Sequence, residues 1–505
     1  MQKLIIGCGN KFVYFTLLAF ALFFQPSQLF SGADKNPDVK SKSLSLGDPI
    51  SARTRSYYFH VPMFNLGGSL PVKFGLVYQS RANIRSHNYF LPSIPRLKRW
   101  GTSSVYMYRW GEGEDEILFE NSESDGSGDW QNGPYSTYQY DLQEVAGAGN
   151  WFYMLDPSDQ TIYMFEKDSN ADDGTPSAQV SRLRYHMDRN GNMVNYTYDS
   201  WNYYPNITIT DGARTIMLTT DGVLLKSVSD GIRSYTLSHN VSSHVTGITD
   251  PLNNTTTYQY FDANSDCLTR QVLPEGNFPY TQTYEEGPGG CLVTSQTDAD
   301  NKVTTLSVQS NAAPTPDKVT ETRPDGSEVV YEHPHQGASP LSLEDAQGNK
   351  ADFTVNSHDQ MTAITDRLGD TTSMTYHADT GFLSSFTNAE GNSVNHTYSA
   401  QTQSFINPAN AHTVTFTFYN RTRTDYPDAT FETFAYDSKG NLITHTDRNT
   451  KSTTYTYNTQ GLPLTITNPT GGVSTYTYNT DGTSASSTDS DRGVTSYGYD
   501  TFKRV

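Results

Sequence analysis

The 505-residue chain holds only three cysteines, and only 18% of its residues are charged, against about 25% in ordinary soluble domains. So few cysteines exclude a disulfide scaffold and a cysteine-rich zinc array. Basic residues are the scarcer sign: 35 Lys and Arg stand against 54 Asp and Glu, a formal net charge of −19. Such a surface repels phosphate backbones, so no nucleic-acid partner is expected. GxSxG, HExxH, P-loop and helix-opening GxGxxG motifs are all missing. Beyond the first thirty residues no apolar run approaches the ~20 residues of a membrane-spanning helix. What the chain does have is 34 Tyr and 24 Phe, with a mean hydropathy of −0.61. That much aromatic surface argues against disorder and for a β protein rich in Tyr, Thr and Asn.

The N-terminus reads as an address. Lys3 and Lys11 precede the apolar run Phe12–Phe24, Pro26 breaks it, and Ser31-Gly32-Ala33 offers small residues for cleavage. This is the layout of a secretory signal peptide over residues 1–33, with an uncleaved anchor as the alternative. Its removal takes two Lys and no acid, leaving −19 − 2 = −21. Ile5-Ile6-Gly7-Cys8 resembles a lipidation box but stands before the apolar run rather than after it. Residues 34–45 read as a linker, and the mature protein is expected to be secreted or held at the cell surface.

The C-terminal half is periodic. Tyr455-Thr-Tyr457-Asn458 recurs as Tyr476-Thr-Tyr478-Asn479 and Tyr497-Gly-Tyr499-Asp500, preceded by Phe434-Ala-Tyr436-Asp437. The second aromatics at 436, 457, 478 and 499 give three consecutive spacings of 21. Tyr376, Tyr398 and Phe418 extend the series upstream, as do Phe353, Tyr331, Tyr284, Tyr260 and Tyr198 at looser spacing. Aromatics at i and i+2 share one face of a strand, and the Thr between them faces the other way. Asn458-Thr-Gln-Gly461 and Asp437-Ser-Lys-Gly440 suit type I turns ending in a left-handed glycine. Leu462-x-Leu464-x-Ile466 then supplies a returning strand, and Asn468-Pro-Thr-Gly471 a second turn. Each unit is therefore one β-hairpin. Residues 181–505 would hold about 15 units and about 30 strands, near 145 Å as a flat ribbon. Open sheets of that width curl or split, and no helical pattern is available to cover a face. The expected fold is all-β: a long antiparallel meander of hairpins curling into a spiral or shell-like sheet.

Cys267 and Cys291 each lie seven residues after a tyrosine, Tyr260 and Tyr284. Equivalent strands of neighbouring hairpins are roughly 9.5 Å apart, beyond the ~7 Å reach of a disulfide. An export signal favours a bond, whereas the spacing predicts two free thiols.

At Tyr-x-Tyr-Asp-x-x-Gly-x-Leu the pattern resembles the YD repeat of the RHS (rearrangement hotspot) family, found in bacterial RHS proteins, insecticidal toxin complexes and teneurins. Residues 182–199 resemble an opening repeat, through Asp188-Arg-Asn-Gly191 and Tyr196-x-Tyr198-Asp199. The N-terminal β region, residues 46–180, resembles the lead-in to an RHS shell through Asp48-Pro49, Leu66-Gly67, Leu70-Pro71, Trp100-Gly101 and Tyr163-x-Phe165. The resemblance implies a hollow spiralling wall, which in bacterial members encloses a C-terminal toxin. The chain departs from the family in two ways. No DPxG cleavage signature follows the repeats, and Tyr499-Asp500-Thr-Phe-Lys503 puts Lys where the motif has Gly. The last repeat stops in mid-hairpin, as the front part of a larger product would.

No side chains nominate themselves for catalysis, cofactor or metal binding. Glu332-His333-Pro334-His335 lacks a third metal ligand nearby. The acidic groups Glu123, Asp125 and Asp129, Asp262 and Asp266, and Asp489 and Asp491 read as solvated turns rather than calcium loops. The tyrosine ladder invites sugar stacking, yet cross-strand ring packing explains it better, because the ladder follows the fold repeat wherever it goes. Asn195-Tyr-Thr197 and Asn206-Ile-Thr208 are sequons of the kind any Thr/Asn-rich chain contains. The sequence thus points to a non-enzymatic, secreted RHS-type structural or interaction protein. Its expected partner is a toxin cargo or a downstream RHS segment. The alternative is a cell-surface adhesin for a glycan or protein.

Overall fold

The computed structural model describes residues 45–46, 50–51, 55, 57–80, 91–92, 94–100, 104–109, 115–121, 130–132, 138–145, 151–167, 180–201, 205–262, 265, 267–287, 290–312, 315–334, 339–489 and 493–499. Residues 1–33, His335, Glu123, Asp125, Asp129, Asp266, Asp491 and the terminal residues 500–505 lie outside this set. Among the described residues there are 40 strands and no helix. No helix is long and apolar enough to cross a membrane.

Two sub-structures precede the repeats. The first is the hairpin Tyr58–Asn65 and Lys73–Gln79. The second is a run of eight strands from Arg96–Trp100 to Val180–Met187, each paired antiparallel with the next. Its pairings return on themselves, because Val180–Arg182 also pairs with Arg96–Lys98. The same strand then hands its other half, Tyr185–Met187, to Met193–Asn195. From there every strand pairs only with its sequence neighbours, through 40 − 13 = 27 strands, to Gly493–Ser496. This ribbon is not closed into a barrel.

The turn chemistry is the one the sequence predicts. Gly461 N–H donates to the Asn458 carbonyl at 3.1 Å and Asn458 N–H to the Leu462 carbonyl at 2.9 Å, with Gly461 at φ 77°. The Asn458 side chain also accepts from the amides of Gln460 and Leu462. Asp437, Asp447, Asn468 and Asp366 repeat this arrangement in their own turns. Much of the chain's acidity is thus spent on turn amides.

A register shift recurs one residue before the second aromatic, between Thr375 and Tyr376, Thr397 and Tyr398, Ala435 and Tyr436, Thr456 and Tyr457, and Thr477 and Tyr478. A bulge bends its strand and increases local right-handed twist. The bulge recurs in most hairpins, though not between Met193–Tyr198 and Ile207–Thr210 or between Val303–Gln309 and Asp317–Thr322, and adds to the ribbon's curl.

The curl brings distant turns together. The turn Asp188–Gly191, after strand 13, meets turns after strands 34 and 36. The Asn190 and Asn441 side chains bond each other, and Asn192 donates to the Gln460 carbonyl at 2.8 Å. Arg189, 4% exposed, donates to Gln160, Gln401 and Asn420 and lies over the Phe418 ring. Burial lowers its guanidinium pKa to about 10. One winding therefore takes about 22 strands, about 105 Å around and about 34 Å across at ~4.8 Å per strand. Just before the second winding, the long hairpin Ser393–Ile406 and Thr413–Asp425 lays Phe405, Val414, Phe416 and Phe418 on Trp151, Tyr153, Leu155 and Met164 of the first.

The inner face of the ribbon is filled from Val194 to Leu343. Tyr57, Phe64, Leu66, Phe74, Leu76 and Tyr78, from and beside the N-terminal hairpin, form one core with Val194, Ile209, Leu237, Tyr258, Val293 and Tyr331. Phe59 stacks on Tyr258, and Phe64 meets Tyr235 edge-on.

The cysteine expectation is corrected here. Cys267 and Cys291 form a disulfide with Cα atoms 5.4 Å apart. The two-strand spacing that argued against a bond holds only where intervening strands stay paired. Leu268–Val272 and Tyr280–Gly287 pair at Arg270 and Thr281 alone, so the wall opens there and the cysteines meet.

Gly440 and Gly391 have nearly the same left-handed backbone, φ 80° and 83°. A Cβ at Gly440 would collide with the Arg189 guanidinium, whereas one at Gly391 meets open space. Each Gly→Ala change should cost about 1–2 kcal/mol from backbone strain. Only Gly440→Ala should cost clearly more in urea denaturation, because it also pushes the windings apart; equal losses would argue against this seam.

Candidate functional site: the inner wall

The defining feature of the wall is a tyrosine hydroxyl rather than a tyrosine ring. Tyr198, Tyr260, Tyr376, Tyr398, Tyr436, Tyr457, Tyr478 and Tyr499 each donate to the backbone carbonyl 15 residues upstream, at 2.6–3.0 Å. Tyr284 does so 16 residues upstream, at 2.5 Å. The acceptor of Tyr457 is Leu442, the first residue of the preceding strand. The recorded pairing between those two strands begins only at Thr444 and Thr454. The phenol therefore supplies a hydrogen bond where the backbone ladder has stopped. Val355, not Phe353, holds the bulged position in its unit, Phe418 lies on a returning strand opposite Gln401, and Tyr331 donates to Glu321 at 3.2 Å.

Burial pushes the phenols of Tyr376 and Tyr478 up to about 12 and raises Tyr457 further still. Opposite these residues the outer face carries hydroxyl pairs: Thr456 with Thr465, Thr477 with Ser486, and Thr446 with Ser452. The carbohydrate-binding alternative needs exposed rings. The structure turns these rings inward and puts Thr and Ser outside.

The inner face changes along the ribbon. Up to Leu343 it packs against the N-terminal hairpin. Beyond that the alternation persists with fewer fully buried side chains among the described residues. Strands Lys350–Val355, Thr371–Tyr376 and Val473–Tyr478 alternate between exposed and half-buried side chains with none fully buried. Ile443 and Leu464, each 37% exposed, are the extra residues of their bulges, and the matching bulge residues Thr294 and Ser384 meet Thr283 and Thr375 on the outer face.

Polar groups are interspersed there. His396 Nδ1 lies 3.0 Å from Thr424 Oγ1, and burial, reinforced by the Arg421 charge, lowers its pKa to about 4. His445 stacks on Phe434 and lies 3.7 Å from Glu432. A small pocket is lined by Gln160, Phe382, Tyr398, Tyr419, Arg421 and Tyr436. Among the described residues no three His, Cys, Asp or Glu side chains gather as metal ligands would. Glu332 is occupied by Ser342, Lys318 and Lys350, and its pKa falls to about 2, chiefly through the Ser342 hydroxyl. His333 is buried beside Tyr331. Of the sequons, Asn206 has its amide engaged with Asp199 and the Thr220 N–H.

The two hairpins containing Tyr436 and Tyr457 have the spacing, turns and bonds just described, and residues 436–473 match the family model of the RHS Repeat. The chain carries an RHS repeat. The same bulge and hydroxyl bond extend beyond this matched RHS segment, back to Tyr260 and Tyr284 and on to Tyr478. No curated protein matches the chain in sequence. It is similar to the crystal structure of TcdB2-TccC3 without its hypervariable C-terminal region, at 11% identity and a TM-score of 0.41, over 86% of this chain and 26% of that one. It is also similar to the Photorhabdus luminescens Tc holotoxin pore, at 13% identity and a TM-score of 0.29, over 86% and 26%. The chain thus spans about a quarter of the length of these structures.

Tyr457→Phe removes one hydroxyl and leaves the Leu442 carbonyl without it. A loss of about 1 kcal/mol is expected in urea denaturation; an unchanged midpoint would argue against the bond. Alkaline pH supplies a second check. The fold holds Tyr376 and Tyr478 protonated to about 12, whereas the unfolded chain ionises near 10. Their stabilisation is complete below pH 10 and is lost as pH rises from about 10 to 12. Ultraviolet phenolate absorbance should therefore lag behind that of the urea-unfolded chain over this range.

Proposed function

We propose that this protein is an exported wall segment of an RHS-type shell, whose role is to enclose a polypeptide rather than to catalyse a reaction. The observation that carries this reading is the curled ribbon of hairpins, whose ring-bearing face already encloses a polypeptide segment, the N-terminal hairpin. Further along, strand Val473–Tyr478 keeps the same alternation with its ring side half-buried. A half-buried aromatic face on a curved wall is what a polypeptide guest would cover. The cargo we favour is a toxin polypeptide, carried in the same product or supplied by a downstream RHS segment.

Export rests on two independent features. One is the leader of residues 1–33. The other is the buried Cys267–Cys291 disulfide, since such bonds form and persist in oxidising compartments.

Both parts are testable. Expressed in a bacterial host, the chain should accumulate outside the cytoplasm with a mass matching cleavage after Ala33; a cytoplasmic, unprocessed product would remove the export claim. Co-produced with the polypeptide encoded directly downstream, the wall should protect that polypeptide from added protease until urea opens it. A guest digested as fast with the wall as without it would remove the enclosure claim.

A further inference from the structure

We propose that the Cys267–Cys291 disulfide is a redox latch that holds the N-terminal hairpin inside the first winding. The inference concerns the plug rather than the cargo and stands whether or not the chain is exported.

The wall has a gap at this point. Leu268–Val272 and Tyr280–Gly287 share one ladder position, Arg270 with Thr281. Ladder amides beyond it need other partners, since buried backbone N–H groups are almost always paired. Residues flanking and ending the N-terminal hairpin supply them. Leu268 N–H donates to the Tyr78 hydroxyl at 2.8 Å. Cys291 N–H donates to the Ser80 carbonyl at 2.9 Å and Val293 N–H to the Arg55 carbonyl at 3.0 Å. Ser80 Oγ donates to the Cys291 carbonyl at 2.9 Å and accepts from Tyr57 N–H at 2.8 Å. The Arg55 guanidinium pairs with Glu285 at 2.5 Å. The plug is thus stitched to both lips of the gap, Leu268 on one side and Cys291–Val293 on the other.

The disulfide joins those same lips. Cys267 and Cys291 are 2% and 3% exposed and each is adjacent to, or is itself, a residue that bonds the plug. With the bond formed, the separation of the lips is fixed at the width that Tyr78 and Ser80 bridge. With two thiols, the hairpin Tyr280–Gly287 and Gly290–Asp298 is tied to its predecessor by one ladder position and two side-chain bonds, Tyr284 to the Leu268 carbonyl and Arg270 to Thr281, and swings outward more easily. The plug then loses Leu268 or Cys291 as partners. The chemistry is thiol–disulfide exchange. Two cysteine thiols lose two protons and two electrons to form the S–S bond, and a disulfide-bearing oxidant accepts them to become two thiols. A dithiol reductant reverses the step.

Hydrogen exchange on the full-length purified protein, with and without dithiothreitol, tests the latch. Reduction should speed exchange at least tenfold in peptides covering 57–64, 73–80, 267–272 and 290–293. Peptides from 431–478, across the second winding, should not change. Cys267→Ser with Cys291→Ser should reproduce the fast pattern and be indifferent to dithiothreitol. Should that variant fail to fold, reduction of the wild-type protein decides alone. Unchanged exchange in the plug after complete reduction, verified by thiol alkylation and mass, overturns the proposal. So does a uniform rise across all peptides, which would make the bond a general staple.

Discussion

The wall depends on a hydrogen bond between a tyrosine hydroxyl and a carbonyl 15 residues behind it. A hairpin ribbon must curve to become a shell, and curvature breaks ladder pairing somewhere in every unit. In most hairpins the break is at the same place, a bulge just before the second aromatic. Between hairpins the ladder also stops short, leaving a carbonyl such as that of Leu442 beyond the last paired residues. Tyr376, Tyr436, Tyr457 and Tyr478 reach that carbonyl with their own hydroxyls. The residue beside one hairpin's bulge thus ties that hairpin to the one before it, which lets the same modest curvature be added hairpin after hairpin.

Curvature alone gives an open coil; contacts between successive windings give it a fixed pitch. Arg189 is the clearest such contact. It is buried with side-chain amide oxygens of Gln160, Gln401 and Asn420 as acceptors. Burying a cation is costly unless its donors are satisfied, and these amides arrive from strands more than 200 residues downstream as well as from the adjacent sheet. Gly440 and Gly461 leave room for Arg189 and Asn190. A turn glycine here serves both its own left-handed backbone and the side chain resting on it.

The sequence made the hairpin unit legible because its signals are local. Tyr455-Thr-Tyr457 declares a strand with one aromatic face, Asn458 to Gly461 a turn, and strict spacing a repeat. The fold class and the curling followed from counting strands. The hydroxyl bond was not read, although the position held a signal: Tyr rather than Phe stands at 376, 398, 436, 457, 478 and 499. Ring packing would have been served by either residue. Arg189 looked like an ordinary turn residue, since nothing near it in sequence announces a partner such as Asn420. The cysteine spacing misled for the opposite reason. It assumed unbroken pairing across three strands, and the N-terminal hairpin interrupts the wall at that point.

The central claim is that 22 hairpin strands complete one winding and return the chain to its own first repeat. Spin labels on Asn190→Cys and Thr459→Cys, measured by pulsed electron resonance, test it directly. The account predicts a narrow distribution below about 25 Å, whereas an extended ribbon of the same strands would separate the labels by about 105 Å at ~4.8 Å per strand. A long or featureless distribution would contradict the spiral.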